Sequence, residues 1–406
     1  MKLLILTQYY PPEIGAPQNR LHELAVRLQK NGVEVEVLTA MPNYPTMEIF
    51  EAYRNNKVKE ENIDGIKVYR SSIFVSRSKK ITARLRNYFS FVWSSYWRGR
   101  KLENYDVLLV ESPPLFLGYS AMALAKKLKA KLIFNVSDLW PESAEKLDIV
   151  SNKRLLKLAY NLEAKCYGKA KLVTGQTQGI VKDIQTRFPE KDVFWLPNGV
   201  DTDFYNPKKI ESGWFREKNN FSKEDKLFFY GGILGHAQGL EVILRTAEKF
   251  KQRTDVKFIL QGAGPEKESL QKLSTELALN NVYFLDPLPK KEMPLVLKDI
   301  DFTIVPLKKL DLFLGAIPSK IFECIAMEVP LLLGVDGEAR DLFIEQGKAG
   351  LFFEPENVEE LSKCINEVLE NSTKVEQLKT NARAYAIENF NRDNIAKKFY
   401  TKLKEI

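Results

Sequence analysis

The chain has 406 residues, 44% of them hydrophobic and 28% charged, which is the composition of a globular protein long enough for two domains. Its formal net charge of +8 favours an anionic partner, whether nucleic acid, an acidic membrane or a phosphorylated substrate. Two histidines exclude a His-rich metal site, and three scattered cysteines fit a reducing cytoplasm better than a disulfide framework or a zinc site. Residues 2–7 (KLLILT) hold an apolar run, Leu3 to Leu6, that stops at Thr7-Gln8 without a small-residue cleavage site. That predicts a first buried strand and not a leader peptide. A Pro/Gly loop then opens a helix over 19–32 (NRLHELAVRLQKNG), with Gly32 as its C-cap. Strands follow at 33–40, 65–72, 105–112, 131–138 and 171–177, and turn residues at 194–207 close this half. A second series has strands at 226–232, 256–262, 282–288, 301–307 and 330–335. Helices near 239–252, 265–278, 290–298, 319–328, 338–346 and 357–370 separate or follow them. The alternation predicts an α/β protein of two doubly wound parallel sheets, with ligands at the carboxyl ends of strands. The expected divisions are 1–205, 206–388 and a final helix in 389–406 that packs back on the first half. No stretch approaches the ~18 uninterrupted apolar residues of a membrane span.

The stretch GAIPSKIFECIAMEVP, residues 315–330, carries chemistry on a helix that otherwise reads as core. Ile321, Phe322, Ile325 and Ala326 fall at helical spacing, with Ser319 as the expected N-cap. Lys320 stands in the first turn, where the helix dipole disfavours a cation. A phosphate at that terminus would reverse the penalty. Glu323 lies one turn on, where its carboxylate can accept two hydrogen bonds from a ribose diol. Pro-Ser-Lys-x-x-Glu thus fits a nucleotide diphosphate, while the same spacing also suits an exposed Lys–Glu pair worth a few tenths of a kcal/mol.

Several motifs, in order along most of the chain, carry a family resemblance. They are PPEIGA (11–16), PNYP (42–45), DLWPE (138–142), PNGVDTDFY (197–205), YGGILG (230–235), GAGP (262–265) and PSKIFE (318–323). Together they resemble the family 4 retaining glycosyltransferases of GT-B fold, two Rossmann-like domains facing a cleft. Within that family they resemble bacterial O-antigen and capsule enzymes, N-acetylfucosamine transferases in particular. The resemblance implies a UDP-sugar donor held mainly by the second domain and an undecaprenyl-diphosphate-linked sugar acceptor at the first, without metal or other cofactor. UDP rather than GDP rests on the resemblance alone.

On this reading Glu323 contacts the ribose as the second glutamate of an E-x7-E pair, and Ser319 and Lys320 meet the phosphates. Gly232, Gly235, Gly262 and Gly264 let backbone approach the nucleotide, and Leu288 touches its base. The chain departs from the family in three places. The first glutamate of the pair is replaced by Gly315, so sugar contacts are expected from backbone there or from Asp311. The family's basic residues on the diphosphate align with Ile233 and Gln238, which leaves Lys320 as the replacement and a catalytic candidate. A histidine common before Asp138 is here Ser137, which makes Asp138 the expected polar group, or base, at the acceptor.

Gly15 and Ala16, in a loop opening a helix, would let backbone approach a ligand, with Arg20 aimed at a phosphate and Asn198 beside it. A turn with a solvated arginine is the plainer alternative. His22 is expected to pack or cap. Asp201-x-Asp203 imitates a metal-binding pair but follows Pro-Asn-Gly in a tight turn.

Residues 77–101 (RSKKITARLRNYFSFVWSSYWRGRK) contain no acidic residue and alternate basic ends with aromatics. A helix carrying Arg84, Arg86, Phe89, Trp93 and Trp97 suits an anionic membrane interface. The bland alternative is a core helix with solvated ends. No nucleic-acid module is recognisable. The expectation is a cytoplasmic enzyme, peripheral on the inner face of the cell membrane, building capsule or O-antigen. Two rivals are a GT-B UDP-sugar 2-epimerase and a non-catalytic scaffold of a polysaccharide assembly complex.

Overall fold

The computed structural model describes residues 1–13, 15–78, 80–146, 150 and 152–406. Ile14 of the 11–16 motif and the side chain of Ala16 lie outside the described residues. The chain forms two compact units, one of residues 1–198 and 392–406, the other of 199–391.

In the first unit the strands are β1 (Lys2–Leu6), β2 (Glu34–Ala40), β3 (Glu60–Ile63), β4 (Ile66–Ser71), β5 (Val107–Ser112), β6 (Lys131–Val136), β7 (Leu172–Gly175) and β8 (Val193–Trp195). They form one sheet in the order β3-β4-β2-β1-β5-β6-β7-β8. The pairing is parallel except for β3, which runs antiparallel to β4 at the edge. β3, with the sequence EENI, is too short and too polar to read as a strand in advance; it closes on β4 through a tight turn at Asp64-Gly65, both with positive φ. Apolar residues on one face pack with the helices Ile81–Gly99, Leu117–Leu128 and Lys153–Lys169. The other face packs with Ala16–Lys30 and Arg392–Glu405.

The second unit has β9 (Lys226–Gly231), β10 (Val256–Gln261), β11 (Val282–Leu285), β12 (Phe302–Pro306), β13 (Leu331–Gly334) and β14 (Gly350–Phe352). Their order, β11-β10-β9-β12-β13-β14, is that of a dinucleotide-binding Rossmann sheet, all parallel. The chain reverses its direction of strand addition between β9 and β12, the place where such sheets hold ligands.

The expected divisions at 205/206 and 388/389 shift. Residues 199–205 belong to the second unit because they are tied to the end of the Ser372–Phe390 helix. Val200 bridges Asn391, and Arg383 donates to the carbonyls of Thr202 at 3.0 Å and Tyr205 at 2.7 Å. The last helix begins the return to the first unit at Arg392. Asp393 meets Arg27 Nε at 3.1 Å, Arg392 pairs with Glu23, and Ile395, Phe399 and Leu403 enter the core under the Ala16–Lys30 helix.

Candidate functional site

The 315–330 stretch folds at the carboxyl edge of the second sheet. Its helix runs Lys320–Ala326 and buries Ile321, Phe322, Cys324, Ile325 and Ala326. Ser319 is not the expected cap: its backbone is already helical and its hydroxyl makes no capping bond, because the turn starts one residue earlier with Ile321 N–H donating to the Pro318 carbonyl at 3.1 Å. Lys320 and Glu323 face a cavity of about 600 Å³. Gly232, Gly262, Leu288 and Ser319 line it with them, as do Ile233 and Gln238, the positions where the resemblance places basic residues. The cavity opens beyond the ends of β9 and β10, where Tyr230, Gly231 and Gln261 also reach it.

Two glycines make the loops meet there. A Cβ on Gly262 would sit 1.8 Å from the carbonyl oxygen of Gly232, and one on Gly264 would sit 2.2 Å from that of Leu234. Both have positive φ, +152° and +159°. Gly264 therefore packs loop on loop and is not a lining residue, and Gly235, whose backbone is extended and whose Cβ position meets Ile233 and Gln238 of its own turn, does not line the cavity. Gly315 and Asp311, the expected substitutes for the missing glutamate, do not line it either. Gly315 is exposed with nothing near its Cβ position, and Asp311 starts a short 3-10 turn over Asp311–Phe313.

Lys320 is half-buried, with Nζ 3.7 Å from the centre of the Tyr230 ring. Tyr230 is itself fixed, its hydroxyl donating to the Ile233 carbonyl at 2.6 Å. The ammonium has no ion-pair partner among the described residues. Burial lowers its pKa from 10.5 to about 8, with the nearby Cys324 and Glu323 opposing the shift. The site thus holds a desolvated cation above an aromatic face, one helical turn from a carboxylate. That arrangement can take up an anionic group and, beside it, a diol.

In the first unit the candidates are dispersed. Arg20 is not aimed at open solvent. It is 7% exposed, and its Nη2 donates to both oxygens of Glu111, at 2.7 and 2.9 Å, and to Ser137 Oγ at 2.9 Å. Glu111 also accepts from Asn135 and Ser137, and Asn135 in turn accepts from Thr174 at 2.5 Å. A buried carboxylate at the end of β5 thus meets most of the charge Arg20 was expected to offer to a phosphate. Gly15 has extended backbone, and a Cβ there would strike the Gln18 amide. Asn198 is half-buried in the loop after β8. Asp138 is exposed and accepts from Ser143 Oγ at 2.6 Å.

His22 packs as expected, between the Tyr10 hydroxyl at 2.9 Å and Asp64 at 2.8 Å. Asp201 caps its own turn, accepting from the N–H groups of Asp203 at 3.0 Å and Phe204 at 2.9 Å. Glu13, which sequence reasoning passed over, joins two motifs. Its buried carboxylate accepts from the backbone of Tyr10, Asn43 and Tyr44, so PPE at 11–13 positions PNYP at 42–45. Burial pushes its pKa up, and those three N–H groups oppose the rise.

The Ile81–Gly99 helix turns Phe91, Ser95 and Gly99 inward and leaves Phe89, Trp93 and Trp97 exposed, Trp93 by 68%. Arg84 and Arg86 are exposed, the latter with its guanidinium 4.1 Å from the Phe74 ring centre. Beside its first half lies an apolar groove of about 300 Å³, whose rim includes Ile81, Tyr119, Leu155 and Leu158. No helix among the described residues is long and apolar enough to cross a membrane.

Comparison with known proteins identifies the two halves. Residues 18–204 match the model described as Glycosyltransferase Family 4, and residues 214–385 that described as Glycosyl transferases group 1. A putative colanic acid biosynthesis glycosyl transferase of Escherichia coli K12 is 24% identical, with 100% of each chain covered. The O-antigen chain mannosyltransferase C of Escherichia coli is 21% identical over 99% of this chain and 98% of its own. Among solved structures, Anabaena HepE in complex with UDP and glucose superposes with a TM-score of 0.71 at 17% identity, with 100% of each chain covered.

Proposed function

We infer, for a chain that is a glycosyltransferase of the GT-B fold with a family 4 first half and a group 1 second half, that it transfers a sugar from a UDP-sugar to a lipid-linked acceptor. The product would belong to a capsule or O-antigen type of polysaccharide, and an N-acetylated amino sugar such as N-acetylfucosamine is the donor the motifs favour. The observation that carries the reading is the juxtaposition of Lys320 and Glu323 on one cavity at the carboxyl ends of β9 and β10. Lys320 meets the diphosphate, Glu323 the ribose diol, and Leu288 the base. HepE, which shares the fold, was solved in complex with UDP and glucose.

The chemistry then needs little from the protein beyond placement. The acceptor hydroxyl attacks the anomeric carbon on the face that the leaving group vacates. The bond from that carbon to the β-phosphate oxygen breaks, the hydroxyl proton passes to that oxygen, and UDP departs. Configuration is retained. Charge gathers on the diphosphate in the transition state, where Lys320 stabilises it. Asp138, with one oxygen engaged by Ser143, offers the other to orient the acceptor hydroxyl.

A lipid-linked acceptor is supported by the exposed aromatics of the Ile81–Gly99 helix, by the exposed Arg84 and Arg86 and by the apolar groove beside it. They suit a protein held peripherally on an anionic inner-membrane surface. The donor site is tested by titrating UDP into the wild type and Glu323→Ala. Losing hydrogen bonds to a charged acceptor costs about 2 kcal/mol, or roughly thirtyfold in Kd. Equal affinity in the two proteins would remove Glu323 from the site.

A further inference from the structure

A third recess lies apart from the donor cavity and the apolar groove. It lies in the first unit at the carboxyl ends of β2 and β4, against the last turns of the Ile81–Gly99 helix, and has a volume of about 270 Å³. Lys59, Arg70, Arg98 and Lys101 line it, and no acidic side chain does. Arg70 and Arg98 are each engaged by a carboxylate, Glu61 and Glu60 respectively, both at 2.6 Å. Lys59 and Lys101 have no ion-pair partner among the described residues. Two positive charges therefore stand uncompensated in one concavity.

Directed donors accompany them. Ser71 ends β4 on the same face as Tyr69, which packs with Phe91 of the neighbouring helix, so its side chain points toward the recess. Ser71 is 4% exposed and its hydroxyl has no hydrogen-bond partner among the described residues; Arg98 Nε is likewise buried and unpartnered among them. A buried donor left without a partner is destabilising, so two at one place call for an acceptor. A carboxylate would bring one charge and two oxygens. A phosphoryl group brings up to two charges and three oxygens, which matches two ammonium groups without ion-pair partners and two unpartnered donors.

We propose that this recess binds a phosphoryl group, as a monoester or a diphosphate. Lys59 and Lys101 supply charge, and Ser71 Oγ–H and Arg98 Nε–H supply the directed bonds. The group can belong to a lipid headgroup or to a free phosphorylated molecule. Trp97 lines the same recess and is exposed, with the Arg100 guanidinium 4.5 Å from its ring centre. An aromatic at that edge suits the lipid source. The proposal is independent of the donor reading, since every residue in it belongs to the first unit.

Trp97 provides the readout, because no tryptophan lines the donor cavity. Tryptophan emission is titrated with sodium diphosphate in a Lys320→Met background, which removes the donor cavity's cation, and with Trp97→Phe as the control for signal origin. A saturable change is expected, weakened at least tenfold in Lys59→Gln/Lys101→Gln. Ser71→Ala should also weaken it several-fold without lowering Tm, because the hydroxyl has no partner to lose in the free protein. Vesicles of phosphatidic acid in phosphatidylcholine, set against phosphatidylcholine alone, identify the source. Binding of the former through the same two lysines assigns a lipid headgroup, and binding of diphosphate without vesicles assigns a free ligand. Wild-type affinity in the double variant, or no binding of either probe to the parent, overturns the proposal. UDP binding, measured separately, fails only if the donor reading fails.

Discussion

Lys320 carries a charge that its surroundings disfavour, and that sets a pH signature. Its folded pKa, about 8, lies below the 10.5 of an exposed lysine because burial strips water from the ammonium. Between those two values the unfolded chain binds the extra proton, so this group's contribution to stability rises with pH across the window. Ligand binding has the opposite sense. A diphosphate favours the charged form, so UDP affinity is expected to be level below about pH 8 and to fall as pH rises through it. Titrations of wild type and Lys320→Met across pH 7–10 check this, and a step of equal size in the variant would contradict it. Lys320 and Glu323 were legible because both sit within one helical turn of an otherwise apolar segment. Arg20 was legible only as a basic residue. The partner that neutralises it, Glu111, comes 91 positions later, on a strand whose place beside β1 no local spacing announces. Glu13 was missed for the same reason: the donors to its carboxylate, the N–H groups of Asn43 and Tyr44, come from another loop.

Among the elements, the Arg392–Glu405 helix completes the first unit's core despite its distance in sequence. Phe399 is fully buried there against Phe194, with ring centres 5.9 Å apart. Phe399→Ala is expected to cost about 3–5 kcal/mol in urea unfolding, as core aromatics do. A change under about 1 kcal/mol would show that the helix is an appendage. The Ile81–Gly99 helix makes the complementary case, since its aromatic residues divide between core and surface. Phe89→Gln/Trp93→Gln should weaken binding to anionic vesicles roughly tenfold while leaving Tm unchanged, given that both side chains are exposed. A fall in Tm with unaltered vesicle binding would make them packing residues. The Ser372–Phe390 helix escaped sequence reading altogether. It buries only Leu378, Ala382, Ala386 and Phe390, a stripe one residue wide and half alanine, too thin to stand out from its polar neighbours.

For the whole molecule, the two parallel sheets were legible from the alternation of buried strands and helices; the second family model lies wholly within the second unit, and the first runs to 204, just past the division between units. The exact division was not. Residues 199–205 look like a closing turn of the first half, but Arg383 and Asn391 hold them in the second through bonds that span nearly the whole of that unit. The central claim is that the second unit's cavity presents a UDP-sugar for transfer to a lipid-linked acceptor. The most direct test is UDP release from a panel of UDP-N-acetyl-amino sugars, with and without an undecaprenyl-diphosphate-linked sugar, for wild type and Glu323→Ala. The account predicts release with one donor that requires the lipid-linked acceptor and collapses in the variant. Turnover of the donor at the same rate without acceptor, as an epimerase or hydrolase would give, or no release with any donor, would contradict it.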